Sequence, residues 1–309
     1  MARGIYSRAR VATADEIRDV NVRYHDKAAQ EYDSKWGIDY GPQGSDQVHR
    51  KLRKALGHEL GTYDRALEIG AGTGYFSLNL LRDGTVREAV ATDISPGMLR
   101  SLESSAAQLG LEIETVACEA ERLPFEDGSF DLVFGHAVLH HLPDLEASFS
   151  EFARVLAPGG VLAFCGEPSL HGDRLAGIPK RAAAVSAPIW RALMRARERP
   201  GGGHQDPEAN HLEWAVDVHA FTPGDLWRLG ERAGLERVRV RGEELAASWF
   251  GWANRTLESL AEPETVPVLW RHYAFRGYLA LQHVDRALLE PRLPPAIFYN
   301  LLISAKKPT

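Results

Sequence analysis

Three glycines at alternate positions form the chemically most informative motif of the sequence. Gly70, Gly72 and Gly74 follow the apolar run Ala66 to Ile69 and precede a helix-like segment that begins at Tyr75. Glycine lets the backbone turn tightly and lets a ligand approach where any Cβ would collide. The motif therefore indicates a nucleotide-like ligand bound at the end of a strand.

An acid beside the glycines helps to distinguish two kinds of ligand. Dinucleotide sites usually carry GxGxxG, because the pyrophosphate binds against the helix N-terminus, whereas the spacing here is GxGxG. Glu68 lies two residues before the first glycine. A carboxylate suits the ammonium group of a methionine moiety better than a pyrophosphate. Charge complementarity therefore favours S-adenosylmethionine as the cofactor, with S-adenosylhomocysteine as the product.

Acids also follow the next two predicted strands. Asp93 comes directly after the apolar run Ala89 to Thr92, where its carboxylate can accept hydrogen bonds from both hydroxyls of a ribose. That position suits either kind of cofactor. The third predicted strand runs into the polar turn CEAERLPF, residues 118–125, in which we expect Glu119 to accept a hydrogen bond from an adenine amino group.

Two adjacent histidines follow the fourth predicted strand. A histidine titrates near neutral pH and can take a proton from an acceptor hydroxyl, so His140 and His141 are candidate general bases. Adjacent residues of a helix point in different directions, so at most one of them faces the site. The alternative is a structural or cofactor-packing role. No carboxylate cluster accompanies the pair at ligand spacing, so no metal site is predicted.

The elements that position these residues alternate along the chain between Arg65 and Cys165. Short apolar runs separated by helix-like segments predict an α/β fold, namely a Rossmann-like, seven-stranded, mostly parallel sheet with helices on both faces. The predicted strands are Ala66 to Ile69, Glu88 to Thr92, Glu112 to Val116, Leu132 to Phe134 and Val161 to Phe164, and the predicted helices are Tyr75 to Arg82, Pro96 to Gln108 and Asp144 to Leu156.

Composition and turn residues predict how the remaining chain is divided. The sequence APGG at 157–160 stops the preceding helix, and Thr222 with Pro223 begins another one. Two insertions, the second rich in aromatic residues, are expected to form a helical cap over the acceptor. The predicted segments are an N-terminal helical lid at 1–60, a cofactor-binding core at 61–168, a helical insertion at 169–221, a core helix and strand at 222–241, a second helical insertion at 242–295 and a final strand at 296–309.

Charge and cysteine content limit the partners and the compartment. A net charge of -6 and a pI of about 6.1 disfavour a nucleic acid, whose binding rests on lysine and arginine. Cys118 and Cys165 lack zinc-site spacing and are predicted to be buried reduced thiols, which indicates a cytoplasmic setting. Neither a signal peptide nor a membrane span is predicted.

The segment Pro188 to Arg199 combines apolar residues with arginines, so three interpretations stay open. They are contact with an anionic substrate, peripheral contact with a membrane, and a solvated helix face. A homo-oligomer also stays open.

Four motifs in order carry a family resemblance. LEIGAGTG, ATDISPGML, CEAERLPFEDGSFDLVFGHAVLHHLPD and EFARVLAPGGVL together resemble the class I S-adenosylmethionine-dependent methyltransferases. The most similar branch includes the ubiquinone and menaquinone biosynthesis C-methyltransferases and many small-molecule methyltransferases. The resemblance covers roughly residues 65–167. The chain departs from the pattern at 118–120, where Cys-Glu-Ala stands in place of the usual Gly-Asp-Ala.

The resemblance assigns a role to each site residue. The N-terminal segment 24–33 resembles the family's leading helix, which folds over the cofactor and brings a tyrosine near it, so Tyr24 and Tyr32 are candidates. By the same resemblance the methionine part is held by Glu68, Gly70, Ala71, Gly72, Gly74 and the His136 backbone, the ribose by Asp93, and the adenine by Ile94, Met98, Glu119 and Ala120.

The expected activity is methyl transfer from S-adenosylmethionine to oxygen or carbon of a small apolar or aromatic metabolite. The methyl group is already activated, so in-line displacement needs no covalent nucleophile. An NAD-dependent oxidoreductase is disfavoured by the glycine spacing and by the lack of a Tyr-x-x-x-Lys pair. A nucleic-acid methyltransferase would carry an Asn- or Asp-Pro-Pro-Tyr motif where residues 135–138 are GHAV. A non-catalytic S-adenosylmethionine-binding scaffold is the remaining alternative.

Overall fold

The computed structural model describes residues 13–28, 38–199 and 218–309, in which strands and helices alternate. The strands are β1 (Tyr63–Ile69), β2 (Val86–Asp93), β3 (Glu114–Ala117), β4 (Phe130–His136), β5 (Leu156–Pro168), β6 (Glu236–Glu243) and β7 (Asn300–Lys306). The helices are α1 (Ala14–Ala28), α2 (Pro42–Leu56), α3 (Tyr75–Arg82), α4 (Pro96–Leu109), α5 (Leu145–Val155), α6 (Leu170–Met194), α7 (Pro223–Arg232), α8 (Ala246–Ser259) and α9 (Val268–Val284). Within the described ranges, no helix is long and apolar enough to cross a bilayer.

All seven strands belong to one sheet in the order β3-β2-β1-β4-β5-β7-β6. β1 pairs in parallel with β2 and β4, β2 pairs in parallel with β3, and β4 with β5. The predicted α/β fold with a seven-stranded, mostly parallel sheet is confirmed. The chain places β2 and β3 on one side of β1 and then crosses to β4 on the other side. Such a reversal of strand order leaves a crevice at the carboxyl ends of the strands, where open α/β sheets bind ligands.

Helices cover both faces of this sheet, as predicted. On one face, Phe76 of α3 belongs to the same buried cluster as Cys165 of β5. The neighbouring Phe164 points to the opposite face, because successive side chains of a strand alternate. There its ring centroid lies 6.3 Å from that of Phe149 and 5.1 Å from that of Phe152, both of α5. Burying each such side chain stabilises the fold by about 1.5–3 kcal/mol.

Helix α7 begins where the sequence predicts. The Thr222 hydroxyl accepts a hydrogen bond from the Asp225 backbone N–H at 3.2 Å, and the Asp225 carboxylate accepts one from the Thr222 N–H at 2.8 Å. Pro223 occupies the first helical position, where its missing N–H costs nothing. This reciprocal capping satisfies two of the backbone donors that every helix start leaves without a partner.

The APGG segment forms part of a strand rather than a separate turn. Helix α5 ends at Val155 and β5 begins at the next residue, so residues 157–160 lie inside β5. The pairing of β5 with β4 shifts register across them, and Gly159 has a φ of +77°. The Lys307 N–H donates to the Gly160 carbonyl at 2.9 Å. The helix stops here as predicted, and pairing with a distant part of the chain makes these turn residues part of the strand.

The final strand is shorter than predicted. The apolar run from Ala296 to Ala305 was expected to be extended throughout, but the strand occupies only Asn300–Lys306. Residues Pro295–Ile297 form a single turn of 3-10 helix instead, with two consecutive prolines at its start. Proline fixes φ near the helical value and suits the first position of such a turn.

The chain divides into two compact units. The sheet unit comprises residues 1–167, 212–241 and 302–309, and the helical unit comprises residues 168–211 and 242–301. Within the helical unit, Trp190, Leu257 and Val266 belong to one buried cluster. The predicted segment boundaries, and the lid and acceptor-cap roles assigned to the segments, stay predictions.

A buried carboxylate organises the start of α8 in the helical unit. Asp285 is fully buried and accepts hydrogen bonds from the backbone N–H groups of Leu245, Ala246 and Ala247 at 2.9–3.1 Å. These donors belong to the first turn of a helix, where negative charge is favourable. Asp285 therefore fixes the position of α8 against the segment that follows α9.

Candidate functional site

A cavity of the sheet unit opens at the carboxyl ends of the parallel strands. Its walls come from the turn after β1, the ends of β2 and β4, the turn after β3, and helix α1. We call it the switch-point cavity, because it lies where the strand order reverses. The sequence-predicted site residues that line it are Gly70, Gly72, Asp93, Ile94, Glu119, Ala120, His136 and His141.

Two of the three glycines serve different purposes in this wall. Gly70 has a φ of +62°, and a Cβ there would lie 2.3 Å from Cγ2 of Val138, so packing against the β4 end requires glycine. Gly72 has a φ of +54°, yet a Cβ there would meet nothing within 4 Å. Its backbone therefore adopts a conformation that favours glycine while its open side faces the cavity. Such a position can accept a ligand in close contact with the main chain.

The Asp93 carboxylate holds the glycine turn in place. One oxygen accepts a hydrogen bond from the Gly72 N–H at 2.9 Å, and the other accepts one from the Ser95 N–H at 2.8 Å. Burial raises the pKa of Asp93, and the positive charge that His25 can carry opposes part of that rise. Each carboxylate oxygen retains acceptor capacity for a further donor such as a ligand hydroxyl.

Helix α1 is joined to the sheet unit through Asp26. Its carboxylate accepts hydrogen bonds from the Ser95 hydroxyl at 2.6 Å and from the Gly97 N–H at 2.8 Å, both at the start of α4. A Cβ on Gly97 would lie only 2.5 Å from that carboxylate, so glycine there permits the close approach. As a result Arg18 and Asn21 of α1 reach the cavity wall. The sequence analysis missed both residues, since nothing in their spacing indicates a ligand.

Asn21 presents an unsatisfied polar atom at the wall. Its side chain is 4% exposed, and its Nδ2 donates to the Ile17 carbonyl at 2.9 Å. Its Oδ1 accepts no hydrogen bond from any described residue. Burying such an acceptor costs about 1–3 kcal/mol unless a partner is supplied.

Arg18 pairs with the acids of the turn after β3. Its guanidinium lies 3.4 Å from a carboxylate oxygen of Glu119 and 3.5 Å from one of Glu121. Glu119, the predicted adenine acceptor, is nearly half exposed at the rim, whereas the Glu121 side chain is 9% exposed. The structure therefore brings two acids and one arginine to this wall, where the sequence analysis named one acid.

Glu68 lies behind the glycine turn, outside the cavity lining. One oxygen of its carboxyl group accepts hydrogen bonds from the N–H, at 3.0 Å, and from the hydroxyl of Ser77 in α3. Burial raises the pKa of Glu68 to about 8, and the Ser77 hydrogen bonds oppose part of that rise. The predicted contact with a methionine ammonium stays a prediction.

Four further predicted residues that the structure describes lie apart from the lining as well. The buried Met98 donates its backbone N–H to the Ser95 hydroxyl, in the first turn of α4. Ala71 is buried against the α3 and α4 side chains, and Gly74 begins α3 with a φ of +87°. Tyr24 of α1 stacks edge-on against the adjacent His25. Tyr32 lies outside the described residues.

A buried carboxylate that the sequence analysis missed organises the turn after β4. Glu167 is fully buried and accepts hydrogen bonds from the backbone N–H groups of Val138, Leu139 and His140 at 3.0–3.2 Å. Its carboxylate also lies 2.9 Å from Nδ1 of the His140 ring, which donates if the carboxylate is ionised. The only sequence signal for Glu167 is an acid at the end of an otherwise apolar strand. Ala137, just before this turn, has a φ of +53°, which is strained for alanine.

The two candidate histidines have different environments. His140 is buried beside Glu167, and its carbonyl accepts hydrogen bonds from the N–H groups of Val218 and His219. His141 lines the switch-point cavity, with its ring centroid 3.9 Å from that of His140. His25 of α1 lies edge-on to His141 at 5.6 Å. The structure thus brings His141 to the wall and holds His140 behind it.

Cys118 also lines the cavity and is a thiol near neutral pH. Burial raises its pKa to about 11, and the negative charges of Asp93 and Glu119 add to that rise. A protonated thiol is a weak nucleophile. Neither cysteine forms a disulfide. In the parts of the chain that the structure describes, no group of three or more His, Cys, Asp or Glu side chains could hold a metal ion.

Comparison with known proteins finds one family model that matches the central part of the sheet unit. Residues 67–164 match the family model described as "Methyltransferase domain". A malonyl-[acyl-carrier protein] O-methyltransferase of Methylococcus capsulatus is 43% identical over 117 residues, 36% of this chain and 41% of that protein. A demethylmenaquinone methyltransferase of Mycolicibacterium gilvum is 38% identical over 123 residues, 40% of this chain and 50% of that protein. The chain thus spans about half the length of these curated relatives.

A solved structure with the same fold covers most of the chain. Phosphoethanolamine N-methyltransferase 2 of Haemonchus contortus, determined in complex with S-adenosyl-L-methionine, aligns with a TM-score of 0.59. The alignment covers 97% of this chain and 61% of that chain, at 16% identity. At that identity the likeness shows the shared fold alone.

Replacing Glu167 tests its role in the turn after β4. In Glu167→Ala three backbone N–H groups and the His140 ring lose their acceptor, so we expect residues 138–141 to open more readily, by about 3–5 kcal/mol. Amide hydrogen exchange followed by mass spectrometry measures this opening. Glu231→Ala, at an exposed position of α7, is the control and should change exchange little. Equal exchange of residues 138–141 in both variants would contradict the assignment.

Replacing Glu68 tests its raised pKa. The folded protein keeps Glu68 protonated up to pH about 8, whereas the unfolded chain loses that proton near pH 4.5. Folded protein therefore binds more protons between these values, and Glu68 lowers stability as pH rises through that window, by up to about 1.4 kcal/mol per pH unit. Glu68→Gln keeps an acceptor for Ser77 and removes the titration.

We therefore expect the Glu68→Gln protein to gain stability relative to wild type as pH rises from about 4.5 to about 8. Urea denaturation across this window provides the measurement. Glu231→Gln, at an exposed site, should leave the pH dependence of wild type unchanged. If the difference in free energy of unfolding between Glu68→Gln and wild type stayed constant across this pH range, Glu68 would be ionised throughout the range.

Proposed function

We propose that this chain, whose residues 67–164 belong to the methyltransferase domain family, binds S-adenosylmethionine in the switch-point cavity and methylates a small-molecule acceptor. One observation carries the proposal. The cavity brings the Gly70 and Gly72 turn, the Asp93 carboxylate and the Glu119 turn together at one edge of the sheet, and all of them lie within the matched segment.

The residues present fit this cofactor. Open space beside Gly72 accommodates a ligand in contact with the main chain, and Asn21 lies at the wall of the same cavity. Two acids, Asp93 and Glu119, supply acceptors for hydroxyl and amino groups. Ile94 and Ala120 add apolar surface that suits a purine ring.

The methionine, ribose and adenine parts of the cofactor are assigned in turn to the ends of β1, β2 and β3. The Gly70 to Gly72 turn, together with the His136 backbone, would hold the methionine part, and Asp93 would accept from the ribose hydroxyls. Glu119 with Ile94 would hold the adenine. Glu68 would act on the methionine part through the first turn of α3, because its carboxyl group contacts Ser77 there. When bound, S-adenosylmethionine supplies a methyl group on a sulfonium, which is electrophilic without further activation.

The protein's own contribution is to orient the acceptor and to exclude water. In-line displacement requires the attacking atom and the methyl group to be held in line, and this positioning supplies much of the rate. For a phenol or an enolisable carbon, the His141 ring at the cavity wall would take the acceptor proton. Glu167 would steady that ring indirectly, since it holds the backbone of residues 138–140 and the neighbouring His140 ring.

The similar proteins indicate a general class of acceptor but no particular molecule. The similar proteins include an O-methyltransferase acting on a malonyl-acyl carrier and a methyltransferase acting on demethylmenaquinone. Their similarity to this chain covers the cofactor half, so we propose O- or C-methylation of a small apolar or aromatic metabolite without choosing between these acceptors. The cytoplasmic setting predicted from the two cysteines stays part of this proposal.

Ligand-dependent stability tests the cofactor. S-adenosylhomocysteine should raise the unfolding temperature, because a ligand bound only by the folded state adds about 2.7 kcal/mol of stability at a hundredfold excess over Kd. NAD⁺ should have no effect. A shift with NAD⁺ alone would support an oxidoreductase and overturn the proposal. Binding of S-adenosylhomocysteine without methyl transfer to any acceptor would favour a non-catalytic scaffold.

A pair of glycine variants tests the place of binding. Gly72→Ala and Gly84→Ala impose comparable backbone strain of about 1–2 kcal/mol, because both residues have positive φ. Neither Cβ would meet another atom within 4 Å, but only Gly72 lines the switch-point cavity. Isothermal titration calorimetry should show S-adenosylhomocysteine affinity reduced at least about tenfold in Gly72→Ala and unchanged in Gly84→Ala. Equal affinities would place the site elsewhere.

A third variant tests the proton acceptor. With a phenolic or enolisable acceptor, His141→Gln should lower kcat by a factor of about 10²–10⁴. Its affinity for S-adenosylhomocysteine should stay within about twofold of wild type, since the side chain would act on the acceptor rather than the cofactor. Transfer of a labelled methyl group to a panel of such acceptors measures the rate. His58→Gln, at an exposed site, is the control. A parallel loss of rate and affinity would assign His141 to cofactor packing.

A further inference from the structure

Helix α6 of the helical unit has a second apolar face, which is exposed. Ile178, Val185, Ile189 and Leu193 are each more than half exposed, with Val185 at 82%. Their spacing of seven, four and four residues places them on one side of the helix. The other side, with Trp190, packs into the core of the helical unit. An exposed row of branched apolar side chains is unusual for a helix that has already buried one face.

Helix α9 of the same unit has an equally apolar exposed surface. Val268, Leu269, Tyr273 and Phe275 are each more than half exposed, with Leu269 at 82%. None of the residues of α9 is fully buried. Two of the four are aromatic, and aromatic side chains favour the boundary between water and lipid.

The charged residues of both helices are almost all basic. The two helices contain a single acid, Asp173, although the whole chain has a net charge of -6. Arg181 lies four residues before Val185, and Arg276 lies seven residues after Leu269, so each arginine shares the side of its helix that carries the exposed apolar residues. Both arginines are exposed. The basic residues of the two helices are Arg174, Lys180, Arg181, Arg191, Arg271 and Arg276.

We propose that these exposed faces of α6 and α9 bind the surface of a membrane that contains anionic lipids. The apolar side chains enter the boundary between head groups and acyl chains, while Arg181 and Arg276 lie among the lipid phosphates. Neither contribution suffices alone, because interfacial helices combine a buried apolar face with electrostatic attraction. This proposal is independent of the activity proposed for the sheet unit.

Charge complementarity favours a lipid surface over a second copy of the chain. In a twofold dimer these faces would meet the same faces of the second copy, so both copies would bring Arg181 and Arg276 into one interface with one acid per copy, Asp173, on either helix. Like charges brought together across an interface oppose association. Lipid phosphates provide the opposite charge to the arginines of both faces.

Vesicle flotation with the full chain tests the proposal. We expect the chain to float with vesicles of phosphatidylcholine and phosphatidylglycerol at low salt, and to stay in solution with vesicles of phosphatidylcholine alone. The double variant Arg181→Gln and Arg276→Gln should bind about 25-fold more weakly, since each basic residue near an anionic surface contributes a factor of about five. The double variant Ile189→Ser and Leu193→Ser should bind the anionic vesicles at least about tenfold more weakly, because it removes apolar area that would enter the membrane.

Matched controls lie on the sheet unit. Trp227→Ser removes an exposed apolar side chain of α7, and Arg87→Gln with Arg100→Gln removes two exposed charges. These variants should bind vesicles as wild type does. Equal binding to both kinds of vesicle, absence of binding, or the same loss in the controls would overturn the proposal. A wild-type dimer in sedimentation that Ile189→Ser and Leu193→Ser convert to monomer would assign the faces to a second copy instead.

Discussion

The Asp93 carboxylate accepts hydrogen bonds from the Gly72 and Ser95 backbones at the carboxyl end of β2. Through these two contacts one side chain fixes the turn after β1 relative to the start of α4. At the end of β5, Glu167 fixes the turn after β4 in the same way, because its carboxylate accepts hydrogen bonds from three backbone N–H groups of that turn. Parallel strands end at one edge, and the turns there leave N–H groups without partners, so buried carboxylates determine the shape of the cavity.

Helix α1 depends on the same region of the sheet unit. The Asp26 carboxylate accepts a hydrogen bond from the Gly97 N–H at the start of α4. The Ser95 N–H, two residues earlier, donates to Asp93. Arg18 extends this attachment to the acids of the turn after β3. A wall that includes Asn21 is therefore built by residues far apart in sequence, and its position follows from a few charge-assisted hydrogen bonds.

Burial gives the acids of the sheet unit unequal roles. Glu68 and Asp93 both have raised pKa values because the protein removes them from water. Asp93 retains a place at the cavity, whereas the Glu68 carboxyl group accepts hydrogen bonds from Ser77 in the first turn of α3. Side-chain chemistry alone suggested that Glu68 would meet an ammonium group. Whether the Glu68 side chain points to the cavity or to a helix depends on which face of the sheet α3 covers, because its carboxyl group contacts Ser77 of α3.

The sequence by itself determined the α/β fold, the glycine turn at the end of β1 and the capped start of α7. These features follow from local periodicity, from glycine and proline, and from side chains that bond their own backbone neighbours. The tertiary structure alone decided that His141 rather than His140 reaches the cavity, that Glu167 holds their turn, and that α1 supplies Asn21. Each of these contacts joins residues distant in the chain, and sequence spacing carries no information about such pairs until the strands are placed in order.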